Sequence, residues 1–183
     1  MNIMLLDEKL FLWFNSLSGS WLDYVFGWTT FLGTPVLLVI VFVFMWIWEK
    51  EKLAPKFIAV LVGALGGSLL ADAAKLFVHR PRPYAFFYND IAQGKVVVNN
   101  MFHLYVSNSF PSSHTALLFA TVFALNLVYK QRLFFLYFLA LVPAFSRVYV
   151  GDHFPGDVLC GMIFGLVGSA AALRITNCRR FCQ

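Results

Sequence analysis

Polar residues interrupt this chain at intervals close to the width of a bilayer. Between the breaks stand five apolar runs, at about residues 24–48, 55–78, 113–129, 133–150 and 156–175. Each approaches the roughly 20 residues an α-helix needs to cross a hydrocarbon core. The expected fold is therefore all-α, an integral membrane bundle of five transmembrane helices. Gly33 and Pro35 stand in the first run, placed to kink it or to split off a short leading helix. The second run carries Gly63, Gly66, Gly67 and Ser68, small residues that let a neighbouring helix approach closely. Ahead of the runs, MNIMLLDEKLFLWFNSLSGSWLD lacks the basic start and small-residue cleavage site of a signal peptide. Its Phe11, Trp13, Phe14 and Trp21, beside Asp7, Glu8 and Lys9, suit a helix lying in the membrane interface. A sixth, short crossing is the alternative.

Composition agrees with a lipid environment: 60% of the 183 residues are hydrophobic and 13% charged, against roughly 25% charged in soluble domains. With no repeat, low-complexity tract or linker to divide it, residues 1–183 read as a single domain. The net charge of +5 follows topology and does not point to nucleic acid. Lys50, Lys52 and Lys56 follow the first run, Lys130 and Arg132 the third, and Arg174, Arg179 and Arg180 the fifth. Five crossings put these loops on one side, which the positive-inside rule makes the cytoplasm. The other side holds Lys9, Lys75, Arg80, Arg82, Lys95 and Arg147, a bias that sharpens if some of these serve chemistry. Cys160 falls within a run; Cys178 and Cys182 fall in the cytoplasmic tail, without the further ligands of a metal site.

Three polar segments fall on the outer side: KLFVHRPRP after the second run, FPSSH before the third, and SRVYVGDHFPGD between the fourth and fifth. Lys75, Arg82 and Arg147 are cations with almost no acid expected beside them, in a layer where unpaired charge is costly. A phosphate satisfies such a set, and arginine forks match it bidentately. Pro111, Ser112 and Ser113 read as the cap and first turn of a helix whose free N–H groups favour an anion. His153 stands four residues before Asp157, so a helix starting near Pro155 lets the carboxylate reach back to the imidazole and leave the other nitrogen as nucleophile. His114 is placed to protonate the departing oxygen.

Taken in order, Lys75 with Arg82-Pro83, Pro111-Ser112-Ser113-His114, and Ser146-Arg147 with His153 and Asp157 resemble the three-part signature of the type-2 phosphatidate phosphatase superfamily. That superfamily includes bacterial membrane lipid phosphatases and soluble vanadium haloperoxidases. The resemblance implies that Lys75, Arg82 and Arg147 hold a phosphate, helped by Ser112 and the Ser113 backbone amide. It makes His153 the nucleophile of a phosphohistidine, Asp157 its orienting partner and His114 the acid. It implies no metal or other cofactor, and no obligatory protein partner or nucleic acid. The substrate would be a lipid phosphate: undecaprenyl diphosphate, phosphatidylglycerophosphate, phosphatidic acid or the 1-phosphate of lipid A. The place would be a bacterial inner (plasma) membrane, with the site at the outer face. One departure is visible, Ser113 where the family usually has glycine; a backbone N–H survives it.

Competing readings are a vanadate-dependent peroxidase, whose relatives are soluble, and a silent headgroup-binding protein, which would have no need of His114, His153 and Asp157. Outside the signature, Asp72 is expected to pair with Lys75, one turn away, while His79, Arg80 and His103 are expected as loop or interface residues. The stretch YAFFYND, with Phe102 and Tyr105, is expected to dip into the headgroup layer or to cover the site.

Overall fold

A computed structural model describes residues 3–49, 52–101, 108–130 and 132–177, which are helical and contain no strand. Lys50, Phe102, His103, Tyr105, Cys178, Arg179, Arg180 and Cys182 lie outside the described residues. The helices are α1 (Ile3–Asn15), α2 (Ser20–Thr29), α3 (Val36–Trp48), α4 (Leu53–Lys75), α5 (Pro83–Phe86), α6 (Tyr88–Ala92), α7 (Ser113–Val128), α8 (Leu136–Tyr149) and α9 (Pro155–Ile175). A 3₁₀ turn, Thr30–Gly33, joins α2 to α3.

Two of these, α4 with 23 residues and α9 with 21, are long and apolar enough to cross a membrane. The first apolar run bends by 77° between Trp21–Gly33 and Val36–Trp48, at the Gly33/Pro35 break expected to kink it. The third and fourth runs give shorter helices than their apolar lengths suggested. At ~1.5 Å per residue, α7 with 16 residues and α8 with 14 fall short of a ~30 Å core. The reason is local: residues 129–130 and 132–135 form turns between α7 and α8, so apolar sequence there is not helical length.

The centre is a trio of α4, α7 and α9. α7 is buried along nearly its whole length, so apolar residues on all its faces meet protein. The trio closes on small residues. A Cβ added at Gly67 would lie 2.4 Å from the Ala120 Cβ and 2.7 Å from the Gly165 carbonyl oxygen. Only hydrogen fits there, as the small-residue reading of the second run requires. Outward faces carry large exposed apolar groups such as Trp28, Trp46, Trp48 and Phe77, a surface suited to lipid.

The helix α1, expected in the membrane interface, packs one of its faces on the protein. Phe11 is fully buried, its ring centroid 5.3 Å from that of Phe154 and 6.1 Å from that of Phe87. Asn15 Nδ2 donates to the Tyr149 carbonyl at 2.8 Å and to the Asn99 carbonyl at 2.9 Å. Trp13 remains exposed on the other face. Thus α1 is docked on the segment between α8 and α9, because Phe11 and Asn15 share one helical face, four residues apart.

The end of α4, the starts of α7 and α9 and the end of α8 meet at one end of the bundle. The other end is marked by Lys56, which pairs with Glu49 and stands 5.1 Å from the centroid of the Tyr129 ring.

Candidate active site

The 146–157 segment holds its ionisable groups in a tight, buried turn. After α8 ends at Tyr149, the backbone N–H groups of Asp152 and His153 both donate to the Arg147 carbonyl at 3.1 Å. α9 then starts at Pro155, as expected, with Asp157 in its first turn. Asp157 Oδ2 accepts from the Phe154 N–H at 2.9 Å and lies 3.8 Å from His153 Nδ1, longer than a hydrogen bond. Its closest partner is Ser109, whose Oγ donates to Oδ2 at 2.5 Å and lies 3.4 Å from His153 Nδ1. His153 is 1% exposed. Burial pushes its pKa down to about 4; Arg147 and Arg82 push the same way and Asp157 opposes them. The imidazole is therefore a neutral base at physiological pH, the form a nucleophile needs.

Asp152 corrects the expectation that the cations lack a nearby acid. Fully buried, it accepts from Arg147 Nη2 on Oδ2 at 2.5 Å and places Oδ1 3.5 Å from Arg82 Nη1. Its backbone carbonyl also accepts from Arg82 Nη1, at 3.3 Å. Arg147 Nη1 donates to Thr30 Oγ1 in the 3₁₀ turn, while its Nε is buried without a hydrogen-bond partner. Sequence spacing hid the clamp because Arg82 is 70 residues from Asp152.

Lys75 closes α4 and lies within electrostatic reach of Arg82 and Arg147. No Lys75–Asp72 ion pair forms within 4.0 Å among the described residues, although Asp72 is the strongest charge acting on Lys75. Asp72 Oδ1 instead accepts from Ser113 Oγ at 2.5 Å, because the start of α7 offers a hydroxyl and a positive dipole end together. This contact also accommodates serine where the family usually has glycine: the hydroxyl turns toward Asp72. Ser112 is the N-cap of α7, its Oγ accepting from the Thr115 N–H at 3.4 Å and Oγ1 at 3.0 Å. The Ser112 N–H donates to the Asp157 carbonyl at 3.0 Å, tying the second motif to the third.

His114 follows at the start of α7, within electrostatic reach of Arg147, His153, Lys75 and Arg82. Gly33 abuts it: an added Cβ would lie 2.8 Å from the His114 Cβ and 3.3 Å from its carbonyl oxygen. The break in the first run therefore also makes room for this histidine. All eight residues singled out from sequence gather at one end of the bundle.

Three further residues were missed. Arg80, expected as a loop residue, donates Nη1 to Asp157 Oδ1 at 2.8 Å and Nη2 to Asp7 Oδ2 at 2.7 Å. Its guanidinium carbon stands 3.9 Å from the centroid of the Phe154 ring. Asp7 Oδ1 accepts from the Gly156 N–H at 2.8 Å, which anchors α1 to the same turn. Ser109 is the third; its backbone N–H donates to the Arg80 carbonyl at 2.7 Å. The signal available was Arg80 beside a buried helix start, an unpaired cation needing an acid. Covering groups also come from the 84–101 connection, where Phe87 is buried and Phe86 meets Phe154 edge-on at 5.6 Å. Among the described residues no three His, Cys, Asp or Glu side chains gather as metal ligands would.

Residues 56–181 match the PAP2 superfamily, and the chain belongs to it. Over 76 residues it is 41% identical to the "Putative undecaprenyl-diphosphatase YbjG" of Escherichia coli (strain K12), covering 40% of this chain and 37% of that protein. Over 72 residues it is 35% identical to the "Bacitracin transport permease protein BcrC" of Bacillus licheniformis, covering 39% of this chain and 36% of that protein. The matches thus span little more than a third of these curated relatives' length. Among solved structures, Aquifex aeolicus LpxE superposes with a TM-score of 0.70 at 29% identity, over 91% of this chain and 93% of that one. The PAP2 type phosphatidylglycerolphosphate phosphatase of Bacillus subtilis gives a TM-score of 0.70 over 96% of this chain and 86% of that one. At 23% identity, that second likeness shows the fold alone.

Proposed function

We propose that the chain is an integral membrane lipid phosphatase, hydrolysing a phosphomonoester or diphosphate on a lipid through a phosphohistidine at His153. The observation that carries this reading is the buried, neutral imidazole of His153, with a carboxylate toward its Nδ1 and Arg82 and Arg147 beside it. With Nδ1 turned to Asp157 and Ser109, Nε2 holds the lone pair. It attacks phosphorus, the P–O bond to the lipid breaks, and the leaving oxygen takes a proton from His114. Water then attacks the P–N bond, His114 accepts its proton, and inorganic phosphate departs with His153 restored.

Lys75, Arg82 and Arg147 offset the charge that develops on the phosphoryl oxygens, joined by the Ser112 hydroxyl proton and the Ser113 backbone N–H. A dianion arriving beside His114 favours its protonated form, which is the form the first step uses. Charge neutralisation by these side chains leaves no step for a metal ion.

Undecaprenyl diphosphate is the first substrate to try, because the Escherichia coli relative carries that name. Phosphatidylglycerophosphate, phosphatidic acid and lipid A 1-phosphate are the others. With all five apolar runs read as crossings and the basic loops inside, the positive-inside rule supports a site at the outer face of a bacterial plasma membrane. The test is phosphate release from these four lipids by purified protein in detergent, with His153→Ala as the blank. No release above that blank from any of them, by folded protein, refutes the reading. Sidedness is tested with a cysteine placed at Gln93, which is exposed. An impermeant maleimide should label it in intact cells, and labelling only after lysis would move the site to the inner face.

A further inference from the structure

The phosphate-binding cations are not left to repel one another. Asp152 stands between two of them, fully buried, with Oδ2 on Arg147 at 2.5 Å and Oδ1 3.5 Å from Arg82. Yet Oδ1 has no hydrogen-bond partner. A buried carboxylate with one oxygen short of a donor is a poor stabilising device, since a well-packed apolar group usually does as well there. It is better explained by what its charge does to its neighbours. Of the Arg147 donors, Nη1 is held by Thr30 and Nη2 by Asp152, while the buried Nε–H has no partner. The guanidinium is thus fixed by two of its nitrogens with a donor to spare. The counterpart Arg82 is held by both the side chain and the backbone carbonyl of Asp152. Asp152 is itself fixed by its N–H on the Arg147 carbonyl, inside the same turn as His153.

Charge arithmetic gives the clamp a second consequence. Lys75, Arg82 and Arg147 contribute three positive charges; Asp152 offsets one on the two arginines, and Asp72 is the strongest charge acting on Lys75. Asp157 is matched separately by Arg80. Without Asp152 the pocket would carry one more positive charge and hold a phosphate product more tightly.

We infer that Asp152 is the positioning residue of the phosphate pocket, its carboxylate holding Arg82 and Arg147 in register and removing one charge so that inorganic phosphate can leave. This rests on the reading of the pocket as a phosphate site. Asp152→Asn keeps the shape and removes the charge. Its inhibition constants for inorganic phosphate and orthovanadate, measured on a short-chain soluble lipid phosphate, should fall about tenfold, with kcat and KM falling together as product release slows. Asp152→Glu keeps the charge but displaces it. Its phosphate affinity should stay within about threefold of the parent while kcat falls and KM does not.

Unchanged or weakened phosphate affinity in an Asn variant that is monodisperse and melts within a few degrees of the parent overturns the inference. Should the Asn variant not fold, the Glu variant decides: affinity within about threefold supports the role of charge, and a tenfold gain with the charge retained overturns it. Should the parent release no phosphate from any lipid, the proposed reaction falls. Direct phosphate and vanadate binding to the parent and Asn proteins, by calorimetry and ⁵¹V NMR, then decides the role of Asp152 by itself.

Discussion

Replacing Arg80 by glutamine separates the lipid-phosphate signature from the structure around it. Arg80 lies outside the signature, yet it gives one charge-assisted bond to Asp157 and one to Asp7. Removing it takes the Arg80 donor from Asp157 Oδ1, while Oδ2 keeps the Ser109 hydroxyl at 2.5 Å and the Phe154 N–H at 2.9 Å. The loss is therefore one charge-assisted bond, about 1.5 to 3 kcal/mol. Arg80 is 22% exposed, so solvent screening favours the lower part of that range, about 1.5 to 2 kcal/mol. If that loss falls on the orientation of Asp157 in the transition state, kcat/KM drops roughly 10- to 30-fold. The pH profile supplies a second readout. The Arg80 cation offsets the Asp157 charge felt by His153, whose pKa is depressed to about 4. Without Arg80 the field at the imidazole becomes more negative, its pKa rises, and the acid limb of kcat/KM moves up toward neutrality. The assay is kcat/KM from pH 4 to 8 on a soluble short-chain lipid phosphate, for Arg80→Gln, Asp7→Asn and the pair. Asp7→Asn should cost less, since Asp7 reaches Asp157 indirectly, through Arg80 and the Gly156 N–H. A parental rate and acid limb in folded Arg80→Gln would refute the coupling.

His153→Ala should abolish both turnover and any acid-quenched phosphoenzyme, whereas His114→Ala should cost about 10²- to 10⁴-fold on an alkyl monophosphate and less on an aryl phosphate or diphosphate; equal losses on both would reassign His114 to phosphate binding. Phe11→Ala should destabilise the protein by about 3 kcal/mol, read as a lowered melting temperature in detergent, because Phe11 is fully buried against Phe87 and Phe154; an unchanged melting temperature would show that α1 is not docked. Excess chelator should leave the rate intact while orthovanadate inhibits, and loss of activity in chelator that magnesium or zinc restores would overturn the metal-free mechanism.

Local chemistry made the signature and the family legible from sequence. Lys75 with Arg82, Pro111 to His114, and Arg147 with His153 and Asp157 are each separated by a helical turn or a short loop, so spacing reports geometry. The bend at Gly33 and Pro35 and the small residues of α4 were legible for the same reason, since backbone freedom and side-chain size are properties of single residues. The start of α8 was not, because apolar content does not distinguish helix from the turns at 132–135.

Partnerships between charges across long sequence separations came only from the tertiary structure. Arg80 found Asp7 and Asp157 at separations of 73 and 77 residues, Arg82 found Asp152 at 70, and Asp72 found Ser113 at 41. Spacing pairs Asp72 with Lys75, and Asp72 is the strongest charge acting on that lysine, yet its hydrogen bond goes to Ser113. In the folded bundle a carboxylate goes instead to whichever donor packing brings against it, since ion pairs depend on distance in space. The same applies to α1, whose apolar and acidic residues suit an interface, while its contacts through Phe11 and Asp7 with the turn between α8 and α9 come from packing. Sequence therefore determined the candidate chemical groups, and packing decided which groups hold them in place.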